Sequence, residues 1–110
     1  MRKKKLDVEP SSGNVFADGG MPDAEEHLLK AQLVVRIGEI LRGRKLTQAA
    51  AGKILGIAQP DLSKILSGRF RDVSVERLMR FLSALDQNVE IVVTPKRKGR
   101  KSATVTVRAA

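Results

Sequence analysis

The sequence predicts a mainly α-helical domain of about five helices over residues 23 to 86, with one β-strand appended after it. Three observations lead there. Between residues 29 and 85 apolar side chains recur every three or four residues, in segments separated by glycines, which is the period of helices that each bury one stripe. After Asp86 the period falls to two over a single short run. The composition, 42% hydrophobic and 30% charged in 110 residues, suits one domain with one modest core. Only 3% of the chain is aromatic, Phe16, Phe70 and Phe81, so that core is expected to be aliphatic.

Residues 1–22 carry turn formers, Ser11-Ser12-Gly13-Asn14 and Gly19-Gly20, without a sustained period, and read as an N-terminal arm. The domain itself, residues 23–86, opens at Met21-Pro22-Asp23-Ala24-Glu25-Glu26. Proline suits a first helical turn, and the acids there complement the positive end of the helix dipole. A long helix follows on Leu29, Leu33, Ile37, Ile40 and Leu41, with Gly43 placed to end it in a left-handed conformation. Gly38 within it weakens the helix by roughly 1 kcal/mol relative to alanine and leaves a bend open there.

Thr47 is the cap of a second helix, Gln48 to Leu55, stopped by Gly56. Three residues on, Gln59-Pro60-Asp61 opens a third, with Leu62, Ile65 and Leu66 facing inward and Gly68 at its end. Ser74 caps a fourth whose stripe is Val75, Leu78, Met79, Leu82 and Leu85, with Val73 able to staple onto Leu78. The strand lies in residues 87–95, where Val89, Ile91 and Val93 alternate with Glu90 and Val92 before Pro95. Its edge needs a partner, either Thr104 to Val107 folding back as a hairpin or the same strand of a second copy. Residues 96–110 form a basic tail, with five bases in Lys96-Arg97-Lys98-Gly99-Arg100-Lys101. That run reads either as extra phosphate contacts or as a solvated linker.

The composition also removes whole classes of function. There is no cysteine, hence no disulfide, thiol nucleophile, zinc-cysteine finger or iron-sulfur cluster, and the single histidine rules out a histidine-rich metal site. His27 lies among Glu25, Glu26 and Lys30 at a helix start and reads as an exposed histidine, not as a general base. Carboxylates are scattered, and neither a Walker sequence nor a nucleophile elbow is present. No enzyme activity, cofactor or metal is expected. No apolar run approaches the ~20 residues of a membrane span, and Met1-Arg2-Lys3-Lys4-Lys5 is not followed by an apolar stretch, so a cytoplasmic protein without membrane contact is expected. Lys plus Arg number 21 against 12 Asp plus Glu, and a net charge of +9 points to a polyanionic partner. The aromatics that stack single-stranded bases are scarce, which favours a duplex.

The segment from Thr47 to Gly68 is where the sequence becomes specific, and it resembles the helix-turn-helix of the lambda-repressor-like, XRE-type DNA-binding family. Gln48 opens the second helix, Leu55 packs inward, Gly56 makes the turn, Gln59 opens the recognition helix, Leu62 and Ile65 fasten it, and Gly68 closes it. Gly52 stands where the family mostly has alanine, at a position where close approach demands a small side chain. Ala50 and Ala58 stand where the family often has Glu and Ser or Thr, so a capping box and a cap are expected to be absent. Seven bases, Arg42, Arg44, Lys45, Lys53, Lys64, Arg69 and Arg71, bracket this segment against the single acid Asp61, as duplex binding through phosphate neutralisation requires.

Residue by residue, the resemblance implies that Gln59, Pro60, Ser63 and Lys64 lie on the outward face of the recognition helix, with Asp61 at its edge. Gln59 suits adenine or a phosphate, Lys64 the acceptor edge of guanine, and Ser63 either groove or backbone. Asp61 either joins the reading edge or serves only the helix start and a pairing with Lys64. Thr47 and Gln48, with the first amides of the second helix, are candidate phosphate contacts. Arg69 and Arg71 are phosphate clamps or solvated surface.

Over residues 11 to 95 the chain also resembles HigA-type antitoxins found beside RelE/HigB-type toxins. That likeness implies a homodimer that represses its own promoter and neutralises a ribosome-dependent ribonuclease by binding it. One short recognition helix contacts only a few base pairs at ~1–3 kcal/mol each, which independently asks for a second copy, half-sites ~34 Å apart and a palindromic operator. The competing reading is a protein-interaction module, or a nucleic-acid binder without operator specificity.

Overall fold

A computed structural model describes residues 23–99 and 102–109. The expected N-terminal arm, with Phe16 and the helix entry at Met21-Pro22, lies outside the described residues, as do Arg100 and Lys101 of the basic run. Among the described residues there are four helices: α1 (Asp23–Gly43), α2 (Gln48–Leu55), α3 (Gln59–Leu66) and α4 (Val75–Ala84). They are the four segments marked by the apolar period. A fifth helix does not occur within 23–86, because the links at 44–47, 56–58 and 67–74 are short and carry no apolar stripe of their own.

α1 runs unbroken through Gly38 for 21 residues and packs against α3 and α4, while α2 packs against α3 and α4. The shared core contains Leu29, Leu33, Ile37 and Leu41 of α1, Leu62 and Ile65 of α3, and Leu78, Leu82 and Leu85 in and after α4. Leu55, Leu66, Met79 and Val73 are half-buried around it. The core is not purely aliphatic, since Phe70 and Phe81 are both buried in it. Among the described residues no helix is long and apolar enough to cross a membrane.

Three of the four helices close with the same paired backbone hydrogen bonds, and the fourth, α2, shares the longer of the two. The amide of Leu46 donates to Leu41 and that of Lys45 to Arg42; Arg69 donates to Lys64 and Gly68 to Ile65; Gln87 donates to Leu82 and Asp86 to Ser83. At the end of α2 the amide of Ile57 donates to Gly52. This closure needs one residue of positive φ. Gly56 (φ +71°) and Gly68 (φ +110°) supply it as expected. For α1 the left-handed residue is Lys45 (φ +56°) and not Gly43, which remains inside the helix. Asp86 (φ +65°) takes the same position after α4.

The strand expected at 87–95 does not form, nor does a hairpin ladder between it and Thr104 to Val107. A strand is defined by the partner that satisfies its backbone groups, and among the described residues this segment has none: Val89, Ile91, Val92 and Val93 are exposed. Val107 of the later limb rests instead on α1, where its amide donates to Gln32 Oε1 at 3.0 Å and its side chain packs against the core.

Candidate nucleic-acid interface

The two short helices are shaped by residues that solve their ends. The Thr47 hydroxyl accepts from the Ala50 amide at 3.0 Å, freeing α2 from one unsatisfied donor. Ala58 gives α3 no side-chain cap, as its sequence implied, and its carbonyl accepts from the Asp61 and Leu62 amides instead. Gly52 is required by the turn more than by a helix crossing. A Cβ there would lie 2.7 Å from the Ile57 carbonyl oxygen and 3.6 Å from the Gln59 nitrogen. The alanine usual in the family does not fit this backbone, so the glycine lets the turn close directly onto the start of α3.

With α2 and the turn in place, α3 is held by Leu62 and Ile65, both buried, and shows Gln59, Pro60, Asp61 and Lys64 to solvent; Ser63 is half-buried at the margin. Thr47 and Gln48 are exposed beside it. The first residues of the two helices are tied together, since Gln59 Nε2 donates to Gln48 Oε1 at 2.9 Å. Asp61 sits in the first turn of α3, and no Asp61–Lys64 ion pair occurs among the described residues.

Arg69 and Arg71 are exposed on the link between α3 and α4, and that link is gripped from beneath by α1. Lys30, itself buried, donates from Nζ to the Arg71 carbonyl at 2.8 Å and lies 3.5 Å from Glu26 Oε2. His27 stacks on Phe70 with ring centroids 4.8 Å apart. His27 is therefore half-buried packing and not the exposed residue its neighbours suggested. The sequence reading missed Lys30 and Glu26 altogether. Stepping back four residues at a time from Val34 along the buried face of α1 reaches both, and that was the available signal. All seven bases around the motif are exposed, and Arg44 also spends a guanidinium donor on the Leu85 carbonyl at the end of α4. Among the described residues no group of three His, Cys, Asp or Glu side chains gathers to hold a metal ion.

A short helix, a glycine-closed turn and a second short helix sealed on one side and polar on the other are the working parts of a helix-turn-helix DNA-binding domain. The comparisons agree with the geometry. The family model described as "Helix-turn-helix domain" matches residues 15–94. A solved chain named "Putative XRE Family Transcriptional Regulator" is 44% identical and superposes with a TM-score of 0.77, over 81% of this chain and 100% of the other. No curated protein matched. The chain belongs to the XRE family of helix-turn-helix transcriptional regulators, whose business is binding DNA.

Proposed function

We propose that the protein is an operator-specific repressor that reads the major groove with α3. The observation that carries this reading is the hydrogen bond from Gln59 to Gln48. One Nε2 hydrogen of Gln59 is committed to Gln48, leaving the second for adenine N7 while Oε1 accepts from adenine N6, the bidentate contact that singles out this base. The free amide hydrogens of Gln48, the Thr47 hydroxyl and the first amides of α2 then face a phosphate. Lys64 reaches guanine acceptors, Pro60 offers an apolar edge for a thymine methyl, and Ser63 serves groove or backbone. Asp61 accepts from a cytosine amine or serves only the helix start, and Arg69 and Arg71 clamp phosphates.

Lys64→Ala is expected to cost ~1–3 kcal/mol on a selected operator and to relax the preference at one base pair. Unchanged operator binding after replacing Gln59, Ser63 and Lys64 together would overturn the assignment. The rival, charge-driven binding without specificity, predicts equal affinity for operator and random duplex at every salt concentration.

Regulatory discrimination asks for two copies, and the division of the chain into arm (1–22), DNA-binding domain (23–86), dimerisation segment (87–95) and basic tail (96–110) belongs to the same reading. With about three phosphates neutralised per subunit, affinity falls by roughly three decades between 50 and 200 mM salt. Replacing Arg97 and Lys98 by glutamine lowers affinity equally on operator and random duplex if the tail contacts phosphates. A partnership with a RelE/HigB-type toxin rests on the resemblance alone and is tested by co-expression with a toxin encoded beside it.

A further inference from the structure

Two apolar surfaces remain uncovered among the described residues. On α1, Leu28 and Val35 are 54% and 59% exposed and border a groove of about 370 Å³ completed by Ala31, Gln32, Val107 and Ala109. In the C-terminal segment Ile91, Val92 and Val93 are 65%, 64% and 88% exposed. Branched apolar side chains grouped in this way mark an association surface.

What fills the groove is partly visible. Val107 and Ala109 of the C-terminal limb line it, Val107 giving one backbone hydrogen bond to Gln32 and one half-buried side chain to the core. The α1 face is thus chemically a seat for a short segment rich in β-branched and small side chains. Seated by its own chain, the limb leaves Leu28 and Val35 largely in water and does nothing for Val89 to Val93. Neither helix nor strand occurs in 88–99 or 102–109, so no backbone ladder among the described residues ties the limb to its own α1, and the Gln32 and core contacts re-form when it lands on an identical groove.

We infer that the α1 groove is the receiving half of a reciprocal interface in which the segment 104–109 of each chain docks on Leu28, Ala31, Gln32 and Val35 of a second copy, carrying its 89–93 limb across with it. The exchange covers both uncovered surfaces in one step and makes the interface isologous, each copy giving a limb and taking one. It also joins each limb to the other chain's α1, the helix whose Lys30 and His27 hold the link after α3, and so sets one recognition helix against the other. The inference rests on the homodimer reading above and adds which surfaces meet.

The natural chain has no cysteine, so single thiols report cleanly. One chain carrying Ala31→Cys and a differently tagged chain carrying Ala109→Cys are mixed, unfolded and refolded together, and treated with a short bismaleimide, with sedimentation run on the same samples. A cross-linked product joining the two tags is expected, with a dimer in sedimentation. A dimer that yields no mixed product, while the chain bearing both cysteines cross-links within itself, overturns the exchange and leaves the homodimer standing. A monomer at all concentrations overturns both. Val35→Glu is expected to weaken self-association by roughly tenfold or more with the melting of the isolated chain unchanged, because Val35 is exposed there; undiminished association would remove α1 from the interface.

Discussion

The aliphatic side chains of the helical body and those of residues 89–93 have the same chemistry and opposite surroundings. Leu62, Leu78 and Leu85 are 0% exposed, whereas Val93, eight residues beyond Leu85, is 88% exposed. The helices carry their own backbone hydrogen bonds, so they need only surfaces to lie against, and α1, α3 and α4 provide these for one another. An extended segment needs a surface and a neighbour for its backbone as well. For residues 89–93 neither is met among the described residues. An apolar period therefore announces that something is to be buried without saying by which molecule.

That contrast is open to attack at several points, in descending order of effect on the stability of the chain. Truncating the sealed side of α3 by Leu62→Ala should cost ~2–5 kcal/mol in denaturant unfolding, and DNA binding should fall with it; a loss near zero would mean that α3 is not fastened as described. Lys30→Ala leaves the Arg71 carbonyl and the Glu26 carboxylate without their buried partner, for a cost of ~1–3 kcal/mol. The same variant should weaken operator binding beyond what its melting explains, since it frees the link bearing Arg69 and Arg71. Gly52→Ala should destabilise by ~1–3 kcal/mol through the clash with Ile57, against the ~1 kcal/mol by which alanine favours a helix; a more stable protein would show that the turn relaxes easily.

Smaller effects sharpen the comparison. Lys45→Gly removes a non-glycine residue from the left-handed position and is expected to stabilise the fold by ~0.5–1 kcal/mol, with Asp86→Gly gaining less because aspartate tolerates that conformation better. Last comes Ile91→Lys, within ~0.5 kcal/mol of the parent in unfolding at dilutions where the chain is monomeric. Its effect should appear in sedimentation instead. A variant that unfolds like a core mutant would show that the segment 89–93 belongs to the body after all.

Within the recognition element, what could be read early was whatever is local. The caps at Thr47 and Ser74, the absent cap at Ala58, and the glycine closures at 56 and 68 depend on residues a few positions apart, and each is where the spacing put it. The exposed face of α3 was legible in most of its members, since with Leu62 and Ile65 inward Gln59, Pro60 and Lys64 turn outward, but Ser63, expected on that face, is half-buried and Asp61, expected at its edge, is exposed. The nonlocal contacts were not. Gln59 and Gln48 meet across the turn, Lys30 finds Arg71 and Arg44 finds Leu85 over 41 residues of chain, and His27 finds Phe70.

By itself the sequence determined the apolar periods of four helices, the ends of the two short ones, and a basic chain with a helix-turn-helix at its centre, because periodicity, capping and turn conformation are properties of short stretches; a fifth helix and the close of α1 at Gly43 were expected and do not occur among the described residues. Only the tertiary structure decided that Gly52 faces a carbonyl and not a helix, that a lysine and a histidine of α1 serve as the floor under the α3–α4 link, and that the expected strand is an unpaired limb. Each of these turns on which distant atoms come within a few ångströms, or on a partner that fails to arrive, and neither is encoded in the spacing of neighbours along the chain.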